Sequence, residues 1–232
     1  MSLVGFFARA VAERTTDPAR DDIEERILVA TLRQMELYGL KRTTMEDVAR
    51  RAKVSRVTLY RRFAGKDALL EAVFLREVSE FLAELDLATS ACSRDEDRIV
   101  VGFAFTLESI RSHPLLNRLL TGEPDSFLPQ LVAMGGPLVD VARDYLATQM
   151  VGRSGLSRGD DDELTAMAEI VVRLLLSFVL IPGSRVDLED PERARRFARR
   201  YLVPLFEVAT CSSGEPSRLE AKGQQGDAGP RA

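Results

Sequence analysis

Tryptophan is absent, histidine occurs once and cysteine twice among 232 residues, and each scarcity closes off a class of chemistry. The lone His113, with no cysteine or carboxylate cluster at ligand spacing, argues against a zinc centre. Cys92 and Cys211 lie far apart and make no disulfide framework; two such thiols fit a reducing cytoplasm. The apolar stretch from Leu3 to Ala8 is shorter than a signal-peptide core of about 7–15 residues, and no positive charge precedes it. The longest apolar run, Ile170 to Ile181, is interrupted by Arg173 and falls short of the roughly 20 uncharged residues of a membrane span. No period-two alternation, no phosphate-cradling glycine loop and no nucleophile–base pair at recognisable spacing is found. The expectation is an all-α chain, soluble and cytoplasmic, with no cofactor, no metal and no membrane partner.

What is present is a large apolar reserve and an uneven charge. Hydrophobic residues make up 45% and charged residues 29%, enough for a substantial packed core. The net charge of −4 alone argues against a nucleic-acid partner. Its distribution reverses that reading. Between Lys41 and Lys66 stand nine basic residues against Glu46 and Asp47, which leaves that segment at +7 and the rest of the chain at −11. A short basic segment on an acidic body is the pattern of a nucleic-acid module joined to a different kind of domain.

Apolar residues recur at helical spacing along most of the chain. Ile23, Ile27, Leu28, Met35 and Tyr38 predict a first helix, with Asp22 and Glu25 in a capping arrangement and Gly39 at its left-handed end. Thr44 caps a second helix with Asp47 reaching back, and Met45, Val48, Ala49 and Ala52 form its stripe. Ser55 caps a third, Arg56 to Phe63, and Lys66 to about Leu85 runs on as a long amphipathic helix. Further helices are expected at Ile99 to Ile110 and Pro114 to Leu120. Another runs from about Ser126 to Met150 with a break near Gly135-Gly136-Pro137, and the last two are Glu163 to Ile181 and Pro191 to Val208. His113 reads as a helix cap, the Asp160–Glu163 cluster as an exposed lead into a helix, and the arginines from Arg193 to Arg200 as a solvated face.

The segment Thr44 to Phe63 reads TMEDVARRAKVSRVTLYRRF. Helix, three-residue turn and helix is the arrangement that sets a second helix into the major groove. Ala49 is small where the helices cross, Val48, Val54 and Leu59 seal the pair, and Arg56, Thr58, Tyr60, Arg61 and Arg62 occupy the exposed face. The wider run Gly39-Leu40, Thr43-Thr44, Val48-Ala49, Val54-Ser55, Thr58-Leu59-Tyr60, Phe63, Lys66-Asp67 and Leu69-Leu70 resembles the N-terminal domain of the tetracycline-repressor (TetR) family. The resemblance covers about Ile23 to Phe74. It implies that Thr43, Thr44, Tyr60 and Lys66 meet phosphates and that Ser55, Arg56, Thr58 and Arg61 face the groove, with Arg62 adding charge. Two departures stand out: Lys53 stands at the family's turn glycine, and Arg62 replaces a histidine common before the phenylalanine.

The same resemblance implies a homodimer on a palindromic double-stranded DNA operator, formed by the last two helices and released by a small-molecule effector. Val171, Leu175, Phe178, Phe197 and Tyr201 are the candidates for the dimer interface. Phe103, Leu107, Phe127, Met134, Tyr145 and Phe178 are those for the effector pocket, although such side chains more often pack a core. The expected organisation is an N-terminal arm over 1–20, a helix-turn-helix domain over 21–66, a ligand-binding and dimerisation domain over 67–210 and a disordered tail over 211–232. Two other readings fit the residues: control by a protein partner without an effector, or an all-α enzyme whose basic segment recruits an anionic substrate.

Overall fold

The first helix, α1 (Asp22–Arg42), starts one residue earlier than its capping pattern predicts. Asp21, not Asp22, is the cap, and its carboxylate accepts the Ile23 amide at 2.9 Å. Gly39 breaks the helical geometry near the far end with φ 82° and ψ 170°, a conformation that costs a residue without Cβ little. The computed structural model describes residues 21–122, 125, 129, 132, 135–154, 162–181 and 185–212; the expected arm over 1–20 and nearly all of the expected tail lie outside them. Helices α2 (Met45–Ala52), α3 (Arg56–Arg62) and α4 (Lys66–Ser90) follow. With neither glycine nor proline between Lys66 and Ser90, nothing stops α4 at Leu85.

Beyond α4 come α5 (Asp95–Ser112) and α6 (Pro114–Gly122). Helix α7 (Gly135–Ser154) opens on the Gly-Gly-Pro triplet, which starts a helix where a break was expected. Helix α8 (Asp162–Leu180) precedes α9 (Pro191–Phe197), which Asp190 caps. One widened turn, Ala198–Leu202, then leads into α10 (Val203–Ser212), so the last helical stretch runs past Val208 and takes in Cys211. Every regular element among the described residues is helical. No helix there is long and apolar enough to cross a membrane.

Among the described residues, two large apolar cores and one smaller cluster organise the fold. The first joins Ile27, Leu28 and Met35 of α1 to Val48 and Ala49 of α2, Leu59 of α3 and Leu69 and Val73 of α4; Leu115 and Leu119 of α6 enter the same cluster. The second gathers Val100, Phe103 and Leu107 of α5, Leu164, Met167 and Val171 of α8, and Leu202 and Phe206 from the C-terminal helices. Helix α4 spans both regions, since its later residues Leu82 and Phe81 pack with Tyr145 of α7. The N-terminal helices are thus anchored to the rest through α4 and α6.

Candidate nucleic-acid interface

The turn between α2 and α3 is built from capping groups at both ends. Thr44 Oγ1 accepts the Asp47 amide at 3.2 Å and donates to the Asp47 carboxylate at 2.6 Å. That bond, with Arg50 beside it, holds the Asp47 carboxyl below the usual carboxylate range. Lys53 adopts the left-handed conformation, φ 54° and ψ 44°, at the position where the family pattern has glycine. Ser55 Oγ accepts the Thr58 amide at 3.0 Å and lies 2.8 Å from Thr58 Oγ1.

Three side chains from α1 and α2 brace this turn. Arg26 donates to the Ala52 carbonyl at 2.7 Å and to that of Lys53 at 3.4 Å. Arg51 Nε donates to the Gln34 side-chain oxygen at 2.8 Å, and Gln34 is itself buried. A left-handed lysine is held because its carbonyl neighbours are tied down on the α1 side. Sequence reasoning missed these braces, because Arg26 and Arg51 read as ordinary surface cations.

Helix α3 buries Leu59 completely, and Phe63 seals its end at 6% exposure. Ser55, Arg56, Tyr60 and Arg61 are exposed and Thr58 is half-buried. Arg56 pairs at 2.6 Å with Glu46 of α2, both side chains remaining open to solvent. Val57 is 79% exposed on the same face and was not among the expected contacts. The signal for it existed: two residues before Leu59 is about 200° around a helix, hence opposite the buried side.

Three expected contacts sit elsewhere. Thr43 is 2% exposed and its hydroxyl donates to the Gly39 carbonyl at 2.8 Å, so it stabilises the break in α1. Lys66 Nζ donates to the carbonyls of Leu40 at 2.7 Å and Lys41 at 3.3 Å, neutralising the end of α1. Arg62 turns toward the start of α1, bonding Asp21 and standing 3.6 Å from Glu24. The Ile23 amide and this guanidinium together hold Asp21 below its ordinary range. All three polar groups sit on the head's inner seams.

In the larger region an apolar cavity of about 270 Å³ lies between α4, α5, α6, α7 and α8. Tyr145 lines it, 7% exposed, with its hydroxyl donating to Asp86 at 3.2 Å. Phe103 lines a smaller adjoining space; Leu107 is buried in the second core away from the cavity, and Phe178 packs edge-on against Phe197. Phe127 and Met134 lie outside the described residues. Val171, expected at a dimer contact, is 4% exposed inside the chain's own core. Leu175 lines the cavity, and Phe197 stacks on Phe103. Of the five expected interface residues Tyr201 alone is exposed, at 53%. His113 does not cap with its side chain; its Nε2 lies 3.1 Å from Glu77, which pairs with Arg76. Arg193 and Arg195 pair with acids on their own segment. No group of residues able to hold a metal ion is found among those described.

A helix-turn-helix with its second helix presented outward, carried on a helical body, defines a DNA-binding transcription regulator. The family of bacterial regulatory proteins named for TetR matches residues 27–73, and the C-terminal domain described for the bacterial tetracycline repressor matches residues 96–199. The chain belongs to the TetR family of transcriptional regulators. It is similar to an uncharacterized HTH-type transcriptional regulator of Mycobacterium tuberculosis, 26% identical over 205 residues, covering 88% of this chain and 93% of that one. AlkX of the same organism, another HTH-type transcriptional regulator, is 27% identical over 141 residues, or 60% of this chain and 66% of its own. The crystal structure of AlkX from Dietzia, a TetR family repressor implicated in biodegradation of n-alkanes, superposes with a TM-score of 0.55 at 26% identity, covering 80% and 96% of the two chains.

Proposed function

We propose that the chain is a homodimeric repressor that binds a palindromic operator and leaves it when a small molecule occupies the body. The reading head is residues 21–66 and the body 67–210. Ser55, Arg56, Thr58, Tyr60 and Arg61 meet the operator, and Val57 adds an apolar contact suited to a thymine methyl. Thr44 meets a phosphate at the start of α2. Thr43, Arg62 and Lys66 hold the head together.

The observation that carries effector control is the double allegiance of α6. Leu115 and Leu119 are packed into the core of the head. Leu116 and Leu120, on the adjacent face of the helix, line the body cavity. A molecule entering the cavity presses on the same short helix that supports the head. A polar chain runs alongside, from His113 at the start of α6 through Glu77 and Arg76 to Glu25 of α1, the last contact at 2.8 Å. An effector shifts the head only by its difference in affinity between the two states, typically about 1–3 kcal/mol.

Dimerisation is supported by a stripe of exposed apolar side chains on the last long helices. Ile170 on α8 and Ile181 just past its end are 44% and 72% exposed, Leu205 and Val208 on α10 are 40% and 63% exposed, and Tyr201 in the widened turn is exposed too. Helices α8 and α10 pack against each other, which brings both sets of exposed apolar side chains onto the same pair of helices. A mobility-shift titration on the DNA upstream of the chain's own gene tests the reading. The expected result is a shift that a scrambled fragment does not give, with affinity falling steeply as salt rises. Equal binding to both fragments overturns it.

A further inference from the structure

The body cavity has two chemically different ends. Its main part, about 270 Å³, is walled almost entirely by carbon: Phe81, Leu82, Leu138, Val172, Leu176 and Val179 stand around it. Leu85, Thr106, Tyr145, Leu146 and Leu175 also line a second space of about 90 Å³, so the two adjoin. That second space is polar on its far side, where Thr89, Asp95, Arg98 and Gln149 lie. We infer that the effector is an elongated apolar molecule whose one polar end carries an uncharged hydrogen-bond-accepting oxygen, seated on Arg98. This rests on the effector reading above and names the chemistry of that site.

Arg98 is the group that specifies the polar end. It is half-buried on α5, and the one hydrogen bond its side chain makes among the described residues is a long one, 3.4 Å to the Thr89 carbonyl. A guanidinium carries five donors and accepts nothing, so most of its hydrogen-bonding capacity is left for solvent or for whatever enters the space it lines. Thr89, by contrast, already donates its hydroxyl to the Leu85 carbonyl at 2.9 Å, and Asp86 accepts from Tyr145. Asp86 and Asp95 share the lining with Arg98, which opposes an amine less than it opposes a second anion. The guanidinium in turn repels an amine. What satisfies both constraints is an uncharged acceptor oxygen, found alike in an ester or an alcohol. The apolar part supplies most of the affinity, since each buried methylene improves binding by about fourfold.

Calorimetric titration of the full chain with decane, decylamine, methyl decanoate, decanol and decanoate tests the inference without DNA. Methyl decanoate and decanol should bind at least about tenfold more tightly than decane, decylamine or decanoate. Methyl decanoate against decanoate separates a neutral acceptor from a charged one, and decanoate binding as tightly as the ester overturns the proposal. Arg98→Ala should weaken methyl decanoate by about tenfold or more, while Ala142→Phe, which fills the apolar part, should weaken all five compounds. Decane or decylamine binding as tightly as the ester and the alcohol overturns it, as does indifference to Arg98→Ala in a variant that melts like the parent, or no binding by any. Binding that leaves the operator complex intact contradicts effector-driven release while leaving this inference standing.

Discussion

The head and the body hold themselves together by different means. In the head, helices of seven and eight residues are too short to be stable alone, and directed polar groups fix them. Thr44 and Ser55 cap, Arg26 and Arg51 brace the turn, and Arg62 and Lys66 tie the ends of α1. The body relies on long helices and non-directional apolar packing, with an apolar cavity left inside. Directional fixing suits a surface that must hold side chains in register with DNA. Looser apolar walls suit a space that must admit a molecule.

The largest expected effect is on the head's small core. Leu59→Ala removes a fully buried side chain from a cluster with little else in α3 to replace it, and should destabilise the head by about 2–5 kcal/mol, read by thermal denaturation. An equally large loss from a single exposed change on α3 would break the comparison. Next comes the apolar stripe: Val208→Glu places a charge at the proposed seam and should cost roughly 2 kcal/mol of association, seen as monomer by light scattering.

Arg61 and Arg62 are neighbours with opposite assignments, and the pair sharpens the contrast. Arg61→Ala should weaken operator binding by about 1–3 kcal/mol with little change in melting temperature. Arg62→Ala should lower the melting temperature and disturb DNA affinity less, because its partners are Asp21 and Glu24. Acid should act on the head through the same partners. Asp21 and Asp47 have lowered carboxyl affinities for protons in the folded state. Their stabilisation is therefore complete at neutral pH and is lost as pH falls below the ordinary carboxylate range, which a pH series of melting curves reads. The smallest effect is Lys53→Gly, expected to gain up to about 1 kcal/mol by relieving a left-handed non-glycine residue.

The head was largely legible in the sequence because its signals are local. A threonine three residues before an aspartate, a serine before a short helix and a lysine in a tight turn each act within four residues of themselves. What escaped were partnerships across the chain: Arg62 with Asp21, and Lys66 with Leu40, are set by how helices cross. In the body the difficulty was phase. Helix α8 is apolar on nearly every side, so periodicity does not say which residues face inward. Val171 and Leu175 turned inward and Ile170 outward, a rotation of one residue that moves the proposed dimer surface from one set of side chains to the next.

The central claim is that the outward face of α3 reads the operator. The direct test is a footprint of the upstream DNA by the parent and by a variant carrying Arg56→Ala, Thr58→Ala and Arg61→Ala together, both checked for an unchanged melting temperature. The account predicts a protected, symmetric site for the parent and none for the variant at the same concentration and salt. Protection of the same site by the variant at parental affinity would contradict it.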